Sequence, residues 1–319
     1  MIKFGKILIL RFSSLGDIIL TFPLISVLRR KYPSVDIHFA TNEKYIPLLK
    51  MNPQINGFLT YKGEPLKTFR RKIKENNYDL ILDLHNNFKS IYTTKFTNTK
   101  VLRYKKGNFK KLLLVNSKIN LMDAVTPVYK RYMLTLRDYF DEVDYRFMPT
   151  ELEFDRRRIV KQDYVVIAPA SKHFTKTFPK EKFEELIKNI KHHKIVLVGE
   201  KTKKDMSICR YLSSASDNIL NYCGKMNYQG LANVLYYSDV VICNDSGILH
   251  LSEALRKKVI AIFGSTVKEF GFYPQLEDSR VLEVENLICR PCTHIGRYKC
   301  PLKHFKCMNE INISDFPNL

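Results

Sequence analysis

Acidic residues are scarce. Against 53 Lys and Arg the 319-residue chain sets only 32 Asp and Glu, for a formal net charge of +21 at pH 7. That imbalance points to a polyanionic partner, and nucleic acid, an anionic membrane face and phosphorylated substrates all qualify. The plainer reading is a lysine-rich, solvated surface. Long apolar runs are missing too. No stretch reaches 18 residues, so nothing in the sequence spans a membrane as a helix. The apolar run in "MIKFGKILIL" passes at once into a polar turn with no small-residue cleavage site, so no signal peptide is expected and a cytoplasmic place is. Neither common phosphate-binding signature, G-x-x-x-x-G-K-[ST] or G-x-G-x-x-G, occurs. Nor does any D-x-D pair, which argues against a carboxylate-held divalent ion on a diphosphate. Positive side chains and helix termini would have to neutralise it. Tryptophan is absent altogether.

What is present alternates strand with helix. The runs "KILILR" (6–11), "VDIHFA" (35–40), "YDLILDL" (78–84) and "KVLRY" (100–104) read as strands of a first half. A helix is expected from Asp17 to Lys31, with Leu20, Leu24, Val27 and Leu28 on one face. Periodicity weakens over roughly 105–150. It returns with "YVVIAPA" (164–170), "KIVLVGE" (194–200), "DVVICND" (239–245) and "KVIAIFG" (258–264). The pattern is α/β: two βαβ domains with parallel sheets, 1–150 and 151–319. In such sheets a ligand sits beyond the carboxyl ends of the strands. Three loops are singled out: after Arg11, after Ile167 and after Cys243.

The first loop, "RFSSLGDIILTFP", sets Ser13, Ser14, Gly16 and Asp17 in a turn that opens a helix. One capping residue and one glycine explain part of it. A carboxylate there can also accept a proton from a hydroxyl. In the second, "APASKHFTKTFPKEKF", Ser171 and Lys172 leave the strand end. Lys176 precedes Phe178-Pro179, where it is either one more surface lysine or a phosphate contact. The third runs Asp245-Ser246-Gly247 into a helix with His250 one turn in. Read plainly, Asp245 or Ser246 is an N-cap and His250 lies on the helix surface. Read functionally, the free N–H groups and helix dipole make a phosphate site, Gly247 permits close approach, and His250 faces the same ligand.

These stretches carry a family likeness. With "YDLILDLHNN", "CNDSGILHLSEALRKKVIAIFGST" and "CRPCTHIGRYKCPLKHFKC", they resemble the lipopolysaccharide heptosyltransferases of glycosyltransferase family 9 over nearly the whole length. The resemblance implies a GT-B architecture, two Rossmann-like domains facing a central cleft. It implies inverting transfer of a heptose from ADP-heptose to the inner core, with no catalytic metal. Asp17 becomes the general base. Ser13 and Ser14 shape the donor-phosphate side, and Ser171 and Lys176 contact the diphosphate. Asp245, Ser246, Gly247 and His250 hold the ADP part, and Glu200 partners the ribose. Three departures stand out: Phe178 where a Trp is frequent, Asn86 where a glycine is common, and Ile248 for a frequent proline. The second bears on acceptor identity, so another nucleotide-sugar or surface glycan stays open.

Seven cysteines remain. Cys209, Cys223 and Cys243 are expected as buried thiols. Cys289, Cys292, Cys300 and Cys307 are spaced as structural zinc ligands, or they are packed thiols or a labile disulfide. The charge is uneven. Residues 61–120 hold 15 Lys and Arg against 4 Asp and Glu, which suits a peripheral position on the anionic inner face of the inner membrane. A nucleic-acid binder is the rival class, but no reading motif occurs and the aromatics do not interleave with the basic run. A binding-only relic of the fold is disfavoured by the retention of Asp17, Lys176 and His250.

Overall fold

Apolar runs of four or five residues become central strands here because helices cover both faces of a parallel sheet. The computed structural model describes residues 4–122, 125–139, 144–191 and 193–317. By its internal contacts the chain divides into two units. One is Met1–Lys106 with Val128–Glu153, the other Gly107–Pro127 with Phe154–Leu319.

The first unit holds β1 (Lys6–Leu10), β2 (Asp36–Asn42), β3 (Gly57–Tyr61), β4 (Leu80–Asp83) and β5 (Lys100–Arg103), ordered β3-β2-β1-β4-β5. All pairs are parallel, with Ile7 opposite both Ile37 and Leu80. The second holds β6 (Tyr164–Ala168), β7 (Lys194–Leu197), β8 (Ile219–Asn221), β9 (Val241–Asn244), β10 (Val259–Phe263) and β11 (Arg280–Glu283). Their order is β11-β10-β9-β6-β7-β8, again parallel throughout. The α/β class expected from the sequence is what forms.

Three strands were not foreseen: β3, β8 and β11. Each lies at a sheet edge and is only partly buried. An edge strand is covered less, so its sequence ("GFLTY", "ILN", "RVLE") need not be a continuous apolar run. The single helix expected from Asp17 to Lys31 is two, Leu15–Ile19 and Phe22–Lys31. Pro23 has no N–H for the Ile19 carbonyl, which ends the first helix, and proline suits the opening turn of the second. Among the described residues no helix is long and apolar enough to cross a membrane.

Strand order fixes where ligands can sit. In the first unit the order reverses between β1 and β4, in the second between β6 and β9. A crevice opens at the carboxyl end of such a switch point. The loops after β1 and β4, and those after β6 and β9, are therefore the ones to inspect.

Candidate active site

In the first unit Arg11 follows β1 and is buried. Its guanidinium donates to Ser13 O (2.7 Å), to Leu84 O past β4 (2.6 Å), and pairs with Asp17 Oδ1 (2.8 Å). One side chain thus ties the two loops of the switch point together and presents Asp17. The other carboxylate oxygen accepts from the Ser14 hydroxyl (2.7 Å) and backbone N–H (3.1 Å). The side chain of Asp17 is 18% exposed. Burial pushes its carboxyl up, but Arg11 and the Ser14 hydrogen bonds outweigh burial and hold it below the ordinary carboxylate range. It is an ionised, oriented acceptor at neutral pH. The fully buried Tyr132 lies near Oδ1, 3.5 Å from its hydroxyl, and under the Arg11 guanidinium.

Next to this group, the loop after β4 is shaped by buried Asp83. Its carboxylate accepts from the N–H groups of His85 (3.1 Å) and Asn86 (2.8 Å) and from the Ser90 hydroxyl (2.9 Å). Asn86 has φ +42°. That left-handed conformation explains a glycine preference, and Asn is among the residues that tolerate it. The Asn86 side chain also donates to Tyr104 O (2.7 Å). His85 packs edge-on against Phe12, and its buried Nδ1 has no partner. Burial, then Arg11 and Lys106, push the imidazole down to about 3, so it is neutral.

In the second unit Lys176, after β6, pairs with Asp245, after β9, at 2.6 Å. Asp245 is buried, with a side-chain exposure of 6%, and Lys176 is partly buried at 12%. Thr266, past β10, donates to the same carboxylate (2.7 Å). Asn244 fastens the loops further: its Oδ1 accepts from Phe178 N–H (2.9 Å) and its Nδ2 donates to Pro169 O (2.9 Å). Phe178 itself is fully buried, edge-on to Phe183. Replacing the frequent Trp there keeps an apolar packing role.

Ser246 stands at the N-cap of helix Gly247–Ala254, yet its hydroxyl caps nothing. The buried hydroxyls of Ser246 and Ser265 have no hydrogen-bond partner. They flank the Asp245–Thr266 link, beside a helix terminus whose first N–H groups lack intrahelical acceptors. His250, one turn in, is buried and 6.0 Å from the Phe272 ring, so it is not a helix-surface residue. Ser171 is buried, and its carbonyl accepts from Lys204 Nζ (2.7 Å), which also reaches Thr177 Oγ1 (3.1 Å). Glu200 lies at the carboxyl end of β7, exposed, with its N–H bonded to Asp205 (3.0 Å).

The structure therefore gathers Lys176, Asp245, Ser246, Gly247 and His250, and separately Ser13, Ser14 and Asp17. Sequence reasoning missed Arg11, Tyr132, His85, Lys204, Ser265 and Thr266. Only Arg11 carried a local signal, a cation closing a buried apolar strand. Cys209, Cys223 and Cys243 are buried as expected. Among the described residues no group of three or more His, Cys, Asp or Glu is placed to hold a metal ion, Cys289, Cys292, Cys300 and Cys307 included. Those four are free thiols, and burial pushes Cys307 up to about 12.

Comparison with known proteins decides the family. Residues 66–304 match the model of glycosyltransferase family 9 (heptosyltransferase). The chain belongs to glycosyltransferase family 9. It is a glycosyltransferase. Lipopolysaccharide heptosyltransferase 1 of Campylobacter coli is 26% identical over 290 residues, 82% of this chain and 84% of that protein. The solved ADP-heptose lps heptosyltransferase II of Escherichia coli superposes with a TM-score of 0.74 at 19% identity, covering 96% of this chain and 98% of that one. Escherichia coli heptosyltransferase WaaC, solved with ADP, gives a TM-score of 0.67 at 18% identity over 86% of this chain and 92% of that one. These likenesses establish the fold of the GT-B heptosyltransferases. Within this family 9 transferase, both clusters described above sit on that fold's switch points.

Proposed function

We propose that this family 9 transferase moves a heptose from ADP-heptose to the inner core of lipopolysaccharide, with inversion. Asp17 accepts the proton of the acceptor hydroxyl as that oxygen attacks the anomeric carbon. The bond to the ADP phosphate breaks, and the diphosphate leaves with the electron pair. Lys176, the Ser246 hydroxyl and the N-terminus of helix Gly247–Ala254 take up its charge. Ser171, Gly247 and His250 complete that side, and Glu200 accepts from the ribose hydroxyls. Ser14 works by holding Asp17, and Ser13 shapes the loop through the bond from Arg11. The observation that carries the donor half is the pair of partnerless buried hydroxyls, Ser246 and Ser265, near the partly buried Lys176. Buried polar groups are nearly always bonded, so two orphans at a strand switch point fit a ligand rich in oxygen. The relatives named for lipopolysaccharide heptose transfer, and WaaC solved with ADP, support the choice of sugar and nucleotide.

The orphans give a test that separates binding from folding. Removing an unsatisfied hydroxyl forfeits no intramolecular bond, so Ser246→Ala and Ser265→Ala should leave the melting temperature unchanged or raise it. Each should nonetheless weaken ADP binding by calorimetry, by about 0.5–1.5 kcal/mol for a lost hydrogen bond. Variants that bind ADP as wild type does would remove these hydroxyls from the site.

The reaction itself is tested by turnover of a deacylated inner-core acceptor with a panel of nucleotide-sugars. ADP-heptose should be the substrate of choice, and EDTA should leave the rate largely intact, as expected without a D-x-D pair. Product from another nucleotide-sugar alone would replace the donor. Dependence on added divalent ions would replace the charge-neutralisation scheme. A cytoplasmic place at the anionic inner membrane face completes the reading. The surplus of Lys and Arg in residues 61–120 supports it, each contributing about 1 kcal/mol near such a surface.

A further inference from the structure

Apolar burial breaks down in one region of the second unit. Helix Asn108–Ser117 seats Leu114 and Val115 against Phe270. Its opposite face should be polar. Instead Phe109, 70% exposed, and Leu112 lie on it, and the chain continues with exposed Ile119 and Leu121. A second segment lies against the end of this helix. The Lys118 ammonium donates to the carbonyls of Cys289 (3.2 Å) and Pro291 (2.6 Å). That segment exposes Ile288 (92%), Ile295, Tyr298 and Leu302.

The two segments share a charge pattern. Residues 107–122 contain three Lys, residues 288–306 contain five Lys and Arg, and neither contains an Asp or Glu. Lys111 is buried and Arg290 pairs with Glu283, while Lys118, Arg297, Lys299, Lys303 and Lys306 are exposed. Exposed apolar groups among such cations, with no acid in either segment, mark an interaction surface. From this juxtaposition we infer that the paired segments 107–122 and 288–306 insert their apolar side chains into an anionic lipid bilayer. This rests on the membrane reading above and deepens it, from adsorption by charge to insertion at a named surface. A second copy of the chain would bring like charges together. Nucleic acid would match the charge but gives aliphatic Leu and Ile nothing to enter.

The surface is also fixed to the donor side of the enzyme. Arg297 N–H donates to Thr175 Oγ1 (2.9 Å), and Thr175 N–H donates to Arg297 O (3.1 Å), in the loop that carries Lys176. Gly296, at φ +124°, lets the His173 side chain approach so closely that a Cβ would stand 2.4 Å from His173 Cβ and 2.5 Å from its ring. A bilayer engaging residues 295–302 would thus hold the donor loop at the membrane, where a lipid-anchored acceptor is found.

The absence of tryptophan supplies the probe. F109W is the sole tryptophan of its chain. Its emission should shift to the blue with mixed phosphatidylglycerol and phosphatidylcholine vesicles, and should be quenched by brominated lipid. In sedimentation, F109S/L112S and I288S should each bind those vesicles at least tenfold more weakly than wild type. Part of the wild-type binding should survive high salt, which screens charge but not insertion. Turnover of the deacylated, soluble acceptor should be unchanged in these variants, so a failed surface is distinguishable from a failed transfer reaction. An unshifted F109W emission with vesicles overturns the inference, as does equal vesicle binding by the serine variants. A shift produced by duplex DNA in place of vesicles also overturns it. So does a wild-type oligomer in gel filtration that F109S/L112S dissociates, since a second copy would then cover the surface.

Discussion

Asp17→Asn should lower kcat by about 10²–10⁴-fold, the usual worth of a general base, while ADP affinity changes little. The variant keeps the shape of the side chain and removes its charge. Asp17 also neutralises buried Arg11 at 2.8 Å, so some loss of stability will accompany the loss of rate. A pH profile separates the two. The base works ionised, and Arg11 and Ser14 hold its carboxyl below the ordinary range. The acid limb of kcat should therefore fall only as pH drops through that lowered value. Replacing Arg11 by Gln removes its charge and leaves only the Ser14 hydrogen bonds against burial, which raises the carboxyl and should move the acid limb to higher pH. Stability follows the same sign. A depressed carboxyl stabilises the fold above its unfolded value, and that contribution is lost as pH falls through the folded one. Wild-type turnover by Asp17→Asn, or an acid limb unmoved in Arg11→Gln, would remove Asp17 as base.

The strands at the centres of the two sheets were legible because a strand covered on both faces has to be apolar throughout, as "ILIL" and "VVIC" are. β3, β8 and β11 were not, because an edge position relaxes that demand. The catalytic candidates were legible for a related reason: a small-polar turn after an apolar run is unusual, and it occurs at both "RFSSLGD" and "CNDSG". Their partners were not. Arg11 meets Asp17 within one loop, but Tyr132 reaches it across 115 positions. Lys176 meets Asp245 only because β6 and β9 are neighbours in the sheet. Ser265 and Thr266 are ordinary residues until β10 is laid beside β9. Nothing in local periodicity encodes strand order, and the pairings wait on it.

That non-local pairing makes Lys176→Ala the sharpest test of the donor site. A charge-assisted contact to phosphate is worth about 1.5–3 kcal/mol, so ADP should bind roughly ten- to a hundred-fold more weakly in calorimetry. The same change leaves Asp245 buried with only Thr266 as partner. Breaking a buried ion pair from one side costs about 3–5 kcal/mol, so the free protein should melt at a lower temperature. Weak binding alone then has a second explanation, a damaged loop. The double variant Lys176→Ala/Asp245→Asn resolves this, because removing both charges relieves the stranded carboxylate. Its melting temperature should recover most of the loss, while its ADP affinity stays low for want of the ammonium. Recovery of affinity together with stability would mean that Lys176 serves only to hold the loops after β6 and β9. Unchanged ADP affinity in Lys176→Ala itself would exclude the residue from the donor site.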